Sequence, residues 1–203
     1  MTAARPDFGI HTPSIDATGA VTATLTEGYL DGDLASWLVP DRATRRAVCT
    51  ARFGILAELF LRRGQVDATE DLDAVALWWP VGRLLEMDVP DHDARLAQAM
   101  GDAAGRFLAL DTAARALHPS YRPHHYLAFL AVRPDRQGKG MGSALLRHHH
   151  ARLDLEATPA YLEAPGPRSR ALFERHGYTA WDPIPIPNGP ALHPMWRPGT
   201  FRR

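Results

Sequence analysis

Apolar positions recur along the chain with two periods, and the switches between them mark out its elements. A short apolar stretch at 8–11 predicts a first strand, and Val21, Leu25 and Leu30 recur at helical intervals behind Ser14. Residues 31–40 show no period and predict a loop. From Asp41, a good N-cap, to Arg63 the residues Val48, Leu56, Leu59 and Phe60 share one face, which predicts a long helix ended near Gly64. Stretches 65–69 and 73–80, separated by an acidic turn and closed by Pro80, predict a hairpin. Residues 91–117 are rich in alanine and leucine but carry Gly101 and Gly105, which predicts one broken helix or two short ones. The run 124–132 is apolar and aromatic on both faces, as a central strand should be. A helix over 142–155, a strand over 160–163 and a short helix over 168–176 stopped by Gly177 follow. Two last strands, 178–182 and 192–197, flank the turn signal Asn188-Gly189-Pro190. Strands alternating with helices predict an α/β fold, and 203 residues without an internal repeat predict a single domain over 1–203.

Composition narrows the functional classes. The 23 basic and 23 acidic residues cancel, and no basic stripe of the kind that nucleic acid or an anionic membrane requires is present, so small or neutral partners are expected. The single cysteine, Cys49, has no internal disulfide partner and reads as a small buried side chain in a reducing compartment rather than a catalytic thiol. The first residues lack the apolar core of a signal peptide, and the longest wholly apolar run, 127–132, is far short of the ~20 residues of a spanning helix. A soluble, cytoplasmic protein is therefore expected. All but one of the basic residues are arginine; the exception is Lys139.

That lysine lies in the most informative segment, Arg136-Gln137-Gly138-Lys139-Gly140-Met141-Gly142-Ser143, between a buried strand and an amphipathic helix. Glycines at alternate positions let the backbone approach a ligand and turn its N–H groups to an anion, which the helix dipole also favours. Lys139 would add a point charge to a diphosphate. The P-loop order Gly-x-x-x-x-Gly-Lys-Ser/Thr is absent. A dinucleotide fingerprint fits poorly, because Ser143 replaces its last glycine and too little chain follows Glu163 for further βα units. A plain structural turn is the remaining alternative.

The run 130–146 around Gln137, Gly140 and Gly142 resembles motif A of the GNAT superfamily of N-acetyltransferases, and Tyr161-Leu162-Glu163-Ala164 followed by 167–178 resembles motif B. More narrowly, the chain resembles the branch that includes puromycin N-acetyltransferase, in the 31–41 loop with Trp37 and Pro40, the Pro123-His124-His125-Tyr126-Leu127 lead-in and the closing 189–198. The resemblance implies a mixed, mostly antiparallel seven-stranded sheet, splayed between strands 4 and 5 and flanked by helices. It implies acetyl-coenzyme A as co-substrate, with no metal, and a primary amine of a small molecule as acceptor, attacked directly in a ternary complex. A non-catalytic acyl-coenzyme A sensor and an acetyltransferase acting on a protein amine are the alternatives, and monomer and homodimer both stay open.

On this resemblance the backbone of Gln137, Gly138, Lys139, Gly140, Met141, Gly142 and Ser143 would hold the pyrophosphate. Ala131 and Val132 would pair with the pantetheine arm, the Val132 N–H polarising the acyl oxygen, and the Ser169 hydroxyl would bond the arm. An alkylammonium with a pKa of about 10 must lose a proton before it attacks, so a base is needed. Glu163, ending a strand at the splay, is the first candidate and His124 the second, while His125 points to the opposite face. By the same resemblance Phe173 would stand against the cofactor, where the family's motif B usually carries a tyrosine acid. That leaves water, Tyr121 or Ser169 to protonate the thiolate, with Tyr178 expected in the core. His148, His149 and His150 are adjacent on a helix and cannot chelate one ion together. Trp78, Trp79, Glu86 and Asp88 either line the acceptor pocket or serve packing and solvation.

Overall fold

A computed structural model describes residues 7–82, 91–120 and 122–200. In chain order they form α1 (Thr18–Tyr29), α2 (Asp33–Leu38), α3 (Arg42–Arg63), β1 (Gln65–Ala68), β2 (Ala74–Val81), α4 (His92–Met100), α5 (Ala104–Leu117) and β3 (His124–Val132). The second half adds α6 (Met141–Leu155), β4 (Ala160–Ala164), α7 (Pro167–Glu174), β5 (Thr179–Ala180) and β6 (His193–Arg197). The strands make one mixed sheet in the order β1-β2-β3-β4-β6-β5, in which only β3 and β4 run parallel. Among the described residues no helix is long and apolar enough to cross a membrane.

Helices cover both faces. Val21 and Leu25 of α1 and Phe53, Leu56 and Phe60 of α3 pack on one face against Val75, Leu77 and Ala131. On the other, Leu145, Leu146 and Leu153 of α6 and Phe173 of α7 pack against Ala76, Trp78, Leu127 and Leu162. The helical periods of the sequence map onto these contacts. Asp41 caps α3 as expected, its carboxylate accepting the Thr44 N–H at 2.7 Å. The break between α4 and α5 falls at Gly101, whose φ of 50° suits glycine. Gly177, at φ 85°, follows α7 in the left-handed conformation of a helix stop.

Two expectations need correction. The described sheet has six strands, not seven, because 8–11 contributes one bridge, His11 to Ala68. Gly9 turns the chain at φ 55°, and past the bridge only the Glu70 N–H to Phe8 O bond at 3.2 Å continues the contact. The 31–40 segment is not all loop: Leu34 and Leu38, one helical turn apart, anchor α2 against Met100 and Phe107.

Arg45 holds this region together. Its buried guanidinium donates to the carbonyls of Val39 (2.6 Å), Leu30 (3.0 Å) and Pro40 (2.8 Å), satisfying carbonyls that the ends of α1 and α2 leave over. Arg45→Ala strands those acceptors and is expected to cost about 3 kcal/mol or more. Chemical denaturation with an unchanged midpoint would contradict this.

Candidate active site

The centre of the sheet is open on one side of β3. The Arg133 N–H donates to Asp73 O at 2.9 Å, and with the β2–β3 register this makes 73/133, 75/131 and 77/129 the hydrogen-bonded pairs. Leu130 and Val132 therefore turn their N–H and C=O groups away from β2. A bulge sets this up: Trp78 pairs with Leu127 and Leu77 with Phe129, so Ala128 is the extra residue that shifts the alternation. β4 meets β3 only at His125↔Ala160 and Tyr126↔Tyr161 and then departs, leaving a gap beside Leu130 and Val132. Within it the Leu130 N–H donates to the Tyr29 hydroxyl at 3.2 Å, and the Val132 carbonyl accepts from Gln137 Nε2 at 3.1 Å. The Val132 N–H is left directed at the gap. Ala131, whose backbone was expected to pair with the arm, turns its N–H and C=O groups to β2 and not to the gap.

The glycine loop opens onto the same gap. Gly138 and Gly140 have φ of 80° and 91°, and a Cβ built on either would meet nothing within 4 Å. Their glycine identity follows from backbone conformation, and the space above them is open. The first α6 bond is Ala144 N–H to Gly140 O, so the N–H groups of Met141, Gly142 and Ser143 have no partner within the helix. Gly142 is different: a Cβ there would make ordinary contacts of 3.7–3.8 Å with Leu172, Val132 and Leu130. Gly142→Ala should therefore fold normally, and a thermal midpoint lowered by many degrees would contradict that. Arg136 ties the loop to the β1–β2 turn through Asp73, at 2.7 Å.

Gap and loop are parts of one cleft of about 700 Å³. Val132, Gln137, Gly138, Gly140, Met141, Gly142, Ser143, Ser169, Phe173 and Glu163 line it, as do the arginines 136, 168 and 175 at its rim. Ser169 Oγ donates to Gly166 O at 2.8 Å, and Ser143 Oγ lies 2.9 Å from His176 Nε2. Lys139 does not line the cleft; its exposed ammonium lies 3.3 Å from Asp135 O. The rim arginines stand where a diphosphate charge partner was sought in Lys139.

Glu163 sits at the inner end. Its Oε2 accepts the Tyr126 hydroxyl at 2.8 Å, while Oε1 makes no hydrogen bond and lies 3.8 Å from His118 Nδ1. Burial, reinforced by the Glu163 charge, raises Tyr126 well above the usual phenol range, so its proton stays in place and fixes the carboxylate. His124 is buried outside the cleft. Its Nδ1 lies 3.0 Å from Arg122 O, which can only accept, so Nδ1 carries the proton; the bare Nε2 then takes an N–H from His118 at 3.1 Å. Burial lowers His124, which stays neutral and reaches Glu163 only through His118.

The other singled-out residues lie elsewhere. His125 faces the opposite side, 3.0 Å from His149, and burial there pushes it down to about 4. His149 bonds Asp67 at 2.7 Å and stacks on fully buried Trp78, while His150 bonds Tyr178, which is core as expected. Trp78 and Trp79 are buried and do not line the cleft, and Cys49 contributes to its apolar wall, its thiol raised by burial. Glu86, Asp88 and Tyr121 lie outside the described residues.

The comparisons agree with this geometry. Residues 98–180, which include β3, the glycine loop, β4 and α7, match the family model described as an acetyltransferase (GNAT) domain. A solved structure from Corynebacterium glutamicum, described as histone acetyltransferase HPA2 and related acetyltransferase, is similar with a TM-score of 0.68 and 25% identity over 96% of this chain and 97% of that one. Over residues 98–180 the chain is thus similar to GNAT acetyltransferases.

A mycothiol acetyltransferase of Pseudarthrobacter chlorophenolicus is 31% identical to this chain over 105 residues, 45% of this chain and 32% of the relative. The chain thus spans about a third of the length of such curated relatives. The Thermoplasma acidophilum PaiA N-acetyltransferase, solved in complex with coenzyme A, shares the fold with a TM-score of 0.60 at 9% identity, over 95% of this chain and 99% of that one. Sequence reasoning missed Tyr29, His118 and Tyr126. Only Tyr126 carried a signal, since strand alternation places it on the same face as His124.

Proposed function

We propose that the protein is an acetyl-coenzyme A-dependent N-acetyltransferase acting on a primary amine of a small molecule by direct attack in a ternary complex. The observation that carries this reading is the Val132 N–H, left unpaired by the β3–β4 splay, beside a glycine loop whose N–H groups open α6. The fit is chemical as well as spatial: unpaired donors at a helix N-terminus and rim arginines suit a diphosphate, and an unpaired strand edge suits an amide-bearing arm. When bound, acetyl-coenzyme A supplies an acyl group activated as a thioester. Val132 N–H is placed to donate to the acyl oxygen as negative charge develops there. Glu163, held through Oε2 by Tyr126, takes the amine proton directly or through water, and His118 stands beside its other oxygen. Phe173 offers no proton, so the departing thiolate is protonated by water or by Ser169, the hydroxyl that also lines the cleft. The resemblance to the branch that includes puromycin N-acetyltransferase and the apolar wall that Leu34 and Leu38 of α2 and Phe107 and Leu110 of α5 add to the cleft both favour a small acceptor over a protein tail.

The test is release of free thiol from acetyl-coenzyme A across a panel of small amines. Amine-dependent release supports the reading. Tight cofactor binding with no release from any amine would favour the sensor instead.

A further inference from the structure

The inner wall of the cleft holds a cation that neither the glycine loop nor Glu163 uses. Arg52 of α3 lines the cleft with Phe53, Phe107 and Leu110. Its guanidinium carbon lies 4.9 Å from the Phe107 ring centre, 5.6 Å from Phe129 and 5.7 Å from Phe53, so rings from α3, α5 and β3 surround it. Such a cage fixes the position of the charge but satisfies none of its N–H donors. Arg52 Nε is buried without a hydrogen-bond partner, and no ion pair joins the guanidinium to a described residue. Asp111 of α5 is the carboxylate whose charge acts on it most, yet the two form no ion pair. An unpaired guanidinium in an apolar wall is costly to maintain for packing alone, since an apolar side chain would fill the same space without desolvating a charge.

Its place relative to the candidate base indicates a use. The Phe129 ring that cages Arg52 belongs to β3, the strand whose Tyr126 hydroxyl holds Glu163 at 2.8 Å, and Arg52 and Glu163 both line the one cleft. Such a cleft offers two-point recognition, with an amine held at Glu163 and an anion at Arg52. A guanidinium fork matches a carboxylate with paired, charge-assisted hydrogen bonds.

We propose that Arg52 anchors a carboxylate of the acceptor, so that the amine acetylated belongs to an amino-acid-like molecule and polyamines are disfavoured. This rests on the acetyl-transfer reading for the identity of the other subsite. The test is calorimetric titration of matched pairs, phenylalanine against 2-phenylethylamine and 6-aminohexanoate against hexylamine, with spermidine as the polycation, each with and without saturating coenzyme A. The expected result is that the carboxylated member of at least one pair binds about tenfold tighter or more, and that spermidine binds more weakly still. Arg52→Met should erase the preference without changing coenzyme A affinity, and Arg52→Lys, which keeps the charge but not the fork, should retain part of it. Equal binding within both pairs, tighter spermidine, or a preference that survives Arg52→Met would overturn the proposal. Failure of the acetyl-transfer reading shows separately, as absence of coenzyme A binding in the wild-type protein.

Discussion

Gly140→Asp is expected to abolish measurable acetyl-coenzyme A binding and leave a folded protein. Gly140 precedes α6 with φ at 91°, and a side chain there would enter space in which no protein atom lies within 4 Å. An aspartate carboxylate in that space would put negative charge at the helix N-terminus, where the unpaired N–H groups of Met141, Gly142 and Ser143 suit an anion. The ligand would lose donors and meet a repelling charge together, a loss of affinity on the order of a hundredfold or more from a few charge-assisted bonds. The folding cost is smaller, about 1–2 kcal/mol for a non-glycine residue in the left-handed region, which aspartate tolerates better than most. Calorimetry beside thermal unfolding separates the two effects. Unchanged affinity in a folded variant would remove the loop from the binding site.

Glu163→Gln is expected to lower turnover by about 10²–10⁴-fold with coenzyme A affinity nearly unchanged. Glutamine keeps an oxygen to accept the Tyr126 hydroxyl, so the shape around β4 should survive while basicity is lost. The loss should appear in kcat and flatten the acid limb of the pH–rate profile, because the variant has no carboxylate to lose a proton. A variant that matches the wild type across pH would exclude Glu163 as the base.

How far such a site can be read from sequence depends on whether its features are local. The position of the glycine loop was legible because glycines at alternate places between an apolar strand and an amphipathic helix are a local pattern. The same local logic placed α3 behind Asp41 and the helix stop at Gly177. The Val132 N–H was legible only through family resemblance, since its freedom depends on a bulge at Ala128 that no periodicity announces. Ala131 was misassigned for the same reason: one inserted residue decides which amides face the gap. Lys139 drew notice by composition, yet it reaches a neighbouring carbonyl while the arginines at 136, 168 and 175, one from the loop turn and two from around α7, line the rim. Arg52, His118 and Tyr29 meet β3 or β4 only through tertiary packing between segments distant in sequence, and no short-range pattern marks them. Segment 8–11 shows the converse error, in which strand-like residues formed one bridge because Gly9 bent the backbone away.

The central claim is that the splayed strands and the glycine loop together form an acyl-coenzyme A site. It is tested most directly by calorimetric titration of the wild-type protein with acetyl-coenzyme A, with ATP and NAD as controls. The account predicts saturable binding of acetyl-coenzyme A in the micromolar range and far weaker binding of both controls. No binding of acetyl-coenzyme A, or equal binding of all three, would contradict it.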